Sequence, residues 1–300
     1  MRKALSLPFI IFSLLDFKNF AFAQQEVDAC FNFLIARDYK RAIEAGKRAV
    51  QKYPNKPTAH YCLGRSYRMV GEFKLALEHM KRAESLTSNK KDLMHIYNQI
   101  GLIYNDIGYL DDALLYYDRS LSLARDLENQ SLQASVLNNI ANIYEKKNEL
   151  DKALSYYEES LRLTTDEKEK AITYSNIATI YGQKGDYQKA VEYYQKAIEI
   201  SERYGDHHGT YIIKLNLGVL YTKMKDYKKA EKYLSEGLEG VRKVGDKYWE
   251  ATGYEYLGLL YIAKGDKKTA KDYLTRAYDL FKSLGAERDA EIVLSRMSTF

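Results

Sequence analysis

One pattern of apolar and small positions recurs along almost all of the chain after residue 23. An aliphatic residue precedes a small one, and a tyrosine stands three positions later: Leu63-Gly64 with Tyr67, Ile100-Gly101 with Tyr104, Ile140-Ala141 with Tyr144, Ile177-Ala178 with Tyr181, Leu217-Gly218 with Tyr221, and Leu257-Gly258 with Tyr261. Twelve residues beyond each small residue lies an alanine: Ala76, Ala113, Ala153, Ala190, Ala230 and Ala270. A looser first copy has Cys30, Phe33 and Ala42 in these places, so the small residues fall at 30, 64, 101, 141, 178, 218 and 258. With the small residue numbered 8 in each unit, positions 4, 7, 8 and 11 share one face of a helix, and positions 17, 20, 24 and 27 share one face of a second. Between them stand turn residues such as Gly71-Glu72, Gly108-Tyr109, Gly185-Asp186 and Gly265-Asp266. The pattern predicts one helical hairpin per unit. Positions 8 and 20 lack bulk where two helix backbones approach each other, and the tyrosine at 11 fills the space beside them.

These residues resemble the tetratricopeptide repeat, which has this order of Leu-Gly, Tyr and Ala at a period of 34. Successive units here step by 34, 37, 40, 37, 40 and 40 residues, similar to the longer branch of the family seen in kinesin light chains and bacterial peptide-sensing regulators. The resemblance implies an all-α, right-handed α-solenoid of about seven helix pairs, with the first helix of each pair lining a concave groove. The units fall near 23–56, 57–93, 94–133, 134–170, 171–210, 211–250 and 251–285, and 286–300 form a C-terminal capping helix. A solenoid needs such a lid over its last apolar face, and Glu287, Arg288, Asp289, Glu291 and Arg296 supply its polar side. By the same resemblance the chain is a non-enzymatic protein-protein interaction module that takes an extended peptide or a partner-protein segment in the groove. The other reading is a structural scaffold of an envelope assembly that works through its convex face or its ends.

Positions 2, 5, 9 and 12 of the first helix form a second stripe, about 100° from the first, with position 6 beside it. By the resemblance this stripe faces the groove. Asn98, Asn138, Asn139, Asn142, Asn176 and Asn216 all fall on it, and position 6 alone reads Gln99, Asn139, Asn176, Asn216 in consecutive units. Asparagine is a mediocre helix former, so its recurrence on a helix face needs a reason. An amide offers a donor and an acceptor together, which suits a ladder along the backbone of an extended ligand. The other account is bonding between neighbouring helices. Arg65 and Arg68 on the same stripe suit an acidic residue of a ligand, and Ile172, Ile212, Leu215 and Val219 give the other end an apolar floor. Some family members clamp a C-terminal carboxylate with two asparagines and three cations. The matching positions here are Asn138, Asn142, Asn176, Ile212 and Asn216, so every cation is lost and no such clamp is expected.

Residues 1–23 read as a signal peptide: Arg2-Lys3, an apolar run from Ala4 to Leu15, and Ala21-Phe22-Ala23 at the cleavage site. The run is shorter than the ~20 residues of a spanning helix, and Asp16 and Lys18 end it, so export to the periplasm or beyond is expected without a stable membrane span. Without the leader the charge is 43 Lys/Arg against 40 Asp/Glu, from 46 minus 3 and 41 minus 1. Residues 24–92 hold 14 Lys/Arg and 8 Asp/Glu, a basic end open to an acidic partner or anionic head groups. Nucleic acid is not an expected partner.

Candidate chemistry is sparse. No phosphate-cradling glycine loop, HExxH helix or GxSxG elbow occurs, so neither catalysis nor a cofactor is expected. His207 and His208 beside Asp206 are a metal candidate, although neighbouring side chains rarely converge on one ion. Cys30 and Cys62 lie on the first helices of adjacent units. A disulfide is sterically open in an oxidising compartment, while two small buried side chains at a close helix contact account for the same positions. The 28 tyrosines are mostly core by their helical spacing.

Overall fold

Fifteen α-helices follow one another from Gln25 to Met297, and no strand occurs among the described residues. The computed structural model describes residues 25–298, so the leader expected over 1–23 lies outside them. The chain divides into two compact units at Thr164. Unit 1 contains four helix pairs: α1 (Gln25–Ile35) with α2 (Tyr39–Lys52), α3 (Pro57–Met69) with α4 (Phe73–Ser85), α5 (Lys90–Ile107) with α6 (Leu110–Asp126), and α7 (Gln130–Lys146) with α8 (Leu150–Leu163). Unit 2 contains three: α9 (Glu167–Lys184) with α10 (Tyr187–Arg203), α11 (His207–Lys223) with α12 (Tyr227–Val244), and α13 (Lys247–Lys264) with α14 (Lys267–Ser283). A single helix, α15 (Glu287–Met297), follows them.

Local chemistry starts and stops these helices. Asp186, Asp226 and Asp266 lie just before α10, α12 and α14, and each accepts a hydrogen bond from the backbone N–H three residues on. Asn89, Asn129, Asp206 and Asp246 do equivalent work before α5, α7, α11 and α13. The glycine after α5 has φ +88°, a left-handed conformation that glycine adopts without strain and that turns the chain back for the second helix.

The small residue at position 8 is required by what faces it. A Cβ built on Gly101 would lie 2.6 Å from the Tyr117 ring, and one on Gly218 would lie 2.6 Å from Leu234. Both neighbours are position-24 residues of the second helix, so 8 against 24 is the closest seam of each pair. The first helices are also buried along positions 3 and 10, which the repeat pattern alone does not mark. Ile96, Ile103, Val136, Ile143, Ile180 and Leu260 are all buried there, because each inner helix touches the first helix of the adjoining pair as well as its own partner.

The tyrosines separate by position. Those at 24, Tyr117, Tyr157 and Tyr194, are core. Those at 23 stack on the tyrosine at 11 of the same pair, with Tyr116 and Tyr221 buried and the others partly buried: Tyr104 with Tyr116, Tyr144 with Tyr156, Tyr181 with Tyr193, Tyr221 with Tyr233 and Tyr261 with Tyr273, with centroids 5.3–5.6 Å apart. Cys30 and Cys62 are joined by a disulfide across a Cα separation of 6.3 Å, so the account that left two unlinked thiols gives way to a covalent tie between α1 and α3. On the terminal helix, Ala290 and Val293 are buried, whereas Ile292 and Leu294 remain 40% and 51% exposed. Its outer side is therefore less polar than the charged residues around it suggest.

Candidate functional site

The residues expected to face a ligand lie on the first helices α3, α5 and α7 of unit 1 and α9 and α11 of unit 2. In unit 1 they bond chiefly to one another. Asn139 Nδ2 on α7 donates to Asn98 Oδ1 on α5 at 3.3 Å, which joins position 6 of one pair to position 5 of the pair before it. Asn142 Nδ2 lies 3.5 Å from Asn138 Oδ1 one turn away. The Tyr157 hydroxyl, from α8, lies 2.5 Å from Asn142 Oδ1 and 3.2 Å from Glu145. Burial, and then the Glu145 charge, hold the Tyr157 hydroxyl above its ordinary range, so it stays a donor at neutral pH. The expected ladder of amides is thus present in unit 1, but its traced rungs run between parts of the protein.

The arginines divide in the same way. Arg68 Nε donates to Asp106 on α5 at 2.7 Å, so its charge already has a carboxylate partner. That corrects the expectation that both arginines await an acidic ligand. The Arg65 guanidinium lies 5.7 Å from the centre of the Tyr61 ring on its own helix and forms no ion pair among the described residues. The buried Gln99 Oε1 has no hydrogen-bond partner among the described residues.

Unit 2 carries a different lining on its first helices. Ile172 is 39% exposed, Ile212 and Val219 are half-buried, and Leu215 is fully buried as the floor beneath them. Asn216 stands half-buried beside these residues, and its amide makes no bond among the described residues. Asn176 occupies the equivalent place on α9 and does have a partner. Thr179, at position 9, lies 2.8 Å from the Tyr194 hydroxyl, the same 9-to-24 contact that Asn142 makes with Tyr157. At α13 the buried Glu255 carboxylate receives Arg296 from the terminal helix. The contact again joins position 6 to position 5 of the pair before.

Sequence reasoning missed that second-helix tyrosines anchor the position-9 side chains. The signal available to it was a hydroxyl-bearing residue at 24 wherever 9 is Asn or Thr. Pair 3 confirms the rule by its exception: position 9 is Leu102, and the buried Tyr117 hydroxyl has no partner. His208 meets Asp246 of the next pair at 2.9 Å rather than Asp206, whose carboxylate caps the Gly209 N–H. His207 and His208 therefore do not converge with Asp206. Among the described residues no group of three or more His, Cys, Asp or Glu is placed to hold a metal, and no helix is long and apolar enough to cross a membrane.

Tetratricopeptide repeat family models match residues 92–166, 169–243 and 210–283, and a second such model matches 33–90. The chain belongs to the tetratricopeptide repeat family. No curated protein matches it by sequence. Among solved structures it is similar to a Rap conjugation gene regulator of the plasmid pLS20, in complex with the Phr* peptide. That match has 19% identity over 88% of this chain and 75% of the other, with a TM-score of 0.67. A Rap protein complexed with competence and sporulation factor has 16% identity over 95% of this chain and 89% of its own, also at 0.67. The apo quorum sensor NprR of B. thuringiensis has 19% identity over 95% and 91%, at 0.66. At these identities the likeness establishes the fold alone, an α-solenoid of helix pairs.

Proposed function

We propose that this tetratricopeptide repeat protein is an exported, non-enzymatic interaction module, and that an extended peptide or partner-protein segment lies along its first helices. The observation that carries this reading is the lining of unit 2. Ile172 and Ile212 occupy equivalent positions on the touching helices α9 and α11, exposed or half-exposed, with the unbonded Asn216 amide beside them. Apolar side chains kept in water next to an open donor-acceptor pair suit a guest chain that has both side chains and peptide groups to place. The complexes of one structural neighbour with the Phr* peptide and of another with competence and sporulation factor support the same use of the fold. Within unit 1, taken by itself, Arg65 is a cation left for an acidic residue of a partner.

Export is supported by the leader pattern of residues 1–23 and by the Cys30–Cys62 disulfide, a bond that persists in oxidising compartments and is rare in the cytosol. The test is photo-crosslinking in cells from Val219, compared with Lys232 on a second helix, followed by mass spectrometry. One dominant adduct from Val219, abolished by Ile212→Asp and Asn216→Ala with melting unchanged, is the expected result. Equal labelling from both positions would favour a scaffold that works through other surfaces, for which the exposed Ile292 and Leu294 of the terminal helix are the best-placed residues.

A further inference from the structure

We propose that one edge of unit 1, made by the ends of α2 and α4 and the starts of α3 and α5, docks on an anionic phospholipid surface. This reading is independent of any ligand on the first helices. Residues 47–92 hold 11 Lys/Arg against 4 Asp/Glu, whereas residues 25–46 hold 3 against 4. Because successive helices run in opposite directions, Lys52 ending α2, Lys56 before α3, Arg82 near the end of α4, and Lys90 and Lys91 opening α5 share that edge. Arg82 Nη2 reaches Asn55 Oδ1 at 3.2 Å, which ties the end of α4 to the turn between α2 and α3. The ammonium groups of Lys52 and Lys56 lie 5.4 and 5.8 Å from the centre of the Tyr53 ring in that turn. Lys90 has a partner in Asp126, but Lys52, Lys56 and Lys91 have no carboxylate partner among the described residues.

Helix electrostatics accounts for Lys52 at the end of α2 but not for the lysines at the starts of α3 and α5. A helix N-terminus is electropositive and disfavours cations, yet Lys56 is the N-cap of α3 without a capping bond, and Lys90 and Lys91 are the first two residues of α5. Asn89 caps α5 just ahead of its two lysines, and Asp38, Asn129, Asp166, Asp186, Asp206, Asp226, Asp246 and Asp266 cap other helices through the side chain, while Glu72, Tyr109, Glu149 and Ala286 make no such bond, like Lys56. Lysines also open α13 and α14, so what marks this edge is the gathering of Lys52, Lys56, Lys90 and Lys91 on it, rather than any one lysine at a helix start. The chemistry favours a bilayer over an acidic polypeptide. Carboxylate recognition uses arginine forks, and the arginines near this edge are held internally, Arg48 by Glu26 and Arg82 by Asn55. The free charges are flexible lysines around a half-buried tyrosine, which match a continuous sheet of phosphates with an interfacial aromatic.

The test is vesicle co-sedimentation of the chain beginning at Gln24, so that the apolar leader does not contribute. Partition onto vesicles with about one-third phosphatidylglycerol, absent on pure phosphatidylcholine and lost as salt rises to about 0.3 M, is expected. The combined variant Lys52→Gln, Lys56→Asp and Lys91→Glu should bind about a hundredfold more weakly, from about fivefold per basic residue, while melting no lower because Lys56→Asp supplies the missing cap. Equal binding by variant and parent, or equal binding to both vesicle types, overturns the proposal. So does failure to bind phosphatidylglycerol vesicles while a poly-glutamate column retains the chain, which would assign the edge to an acidic polypeptide.

Discussion

In unit 1, positions 5, 6 and 9 of the first helices carry amides that bond across to the next helix or back to a core tyrosine. In unit 2 the same positions of α11 carry Leu215, Val219 and Asn216, whose amide has nothing bonded to it, while α9 keeps the bonded Asn176 and Thr179. Two stretches with the same repeat pattern thus use one helix face differently. Where the polar groups satisfy one another they specify how neighbouring pairs sit, and removing one partner strands the other in a buried place. Leu215 is core, but the half-buried Ile212 and Val219 and the open amide add less to the fold, and these are the groups the proposed guest chain would use. The disulfide widens the contrast, because it ties the first two pairs of unit 1 and nothing in unit 2 has a counterpart.

The largest way to separate the units is therefore to open that bond. With a sequence separation of 32 between Cys30 and Cys62, loop-closure entropy puts its contribution at about 3–4 kcal/mol. Cys30→Ser with Cys62→Ser should raise amide hydrogen exchange across α1 to α4 while leaving α11 to α14 at parental protection. Uniform acceleration across both units would show that they do not respond separately.

Next in size is the amide contrast. Asn139→Ala leaves the Asn98 amide, 7% exposed, without its traced partner and should cost about 1–2 kcal/mol by urea unfolding. Asn216→Ala should change stability by less than about 0.5 kcal/mol, because no bond is lost. A cost for Asn216→Ala as large as that for Asn139→Ala would mean that its amide is structural too, and the guest-chain reading of unit 2 would lose its main support.

How much of this was legible in the sequence follows from what each residue type reports. The hairpins were legible because a small residue at 8 and alanine at 20 have one packing explanation, and Gly101 against Tyr117 bears it out. Burial at positions 3 and 10 was hidden, since it depends on contact with adjoining pairs and Ser66 or Thr173 occupies those places as readily as isoleucine. The asparagine stripe was found but its use was open, because an amide serves a neighbour and a ligand with the same atoms. Cys30 and Cys62 were ambiguous for a related reason: helix spacing brings the side chains near without saying whether they bond.

A smaller effect isolates the tyrosine at position 24. Tyr157→Phe removes a buried hydroxyl whose single proton is shared between Asn142 Oδ1 at 2.5 Å and Glu145 at 3.2 Å, and should cost about 1 kcal/mol. Tyr117→Phe removes one that has no partner, and should be neutral or stabilising by up to about 1 kcal/mol. Equal costs in both variants would show that the 9-to-24 contact is not what holds the first-helix face of unit 1.

The smallest effect is one of acidity, and it again touches unit 1. His60 Nε2 lies 3.0 Å from the Pro54 carbonyl, so it carries the proton there. Its Nδ1 then accepts from His79 Nδ1, also at 3.0 Å, when both rings are neutral. Protonating both rings would set two N–H groups against each other. Burial, and then the neighbouring His60, hold His79 below its ordinary 6.5, with the Glu78 charge opposing them. The folded state therefore binds this proton less readily than the unfolded chain. The stability tied to His79 is fully present above pH 6.5 and is lost as pH falls through the lower folded value. Between pH 7 and about 5, exchange protection in α3 and α4 should fall in the parent, and His79→Phe should flatten that slope. A parent slope that His79→Phe leaves unchanged would place the acid sensitivity elsewhere, and the imidazole pair would be a packing contact alone.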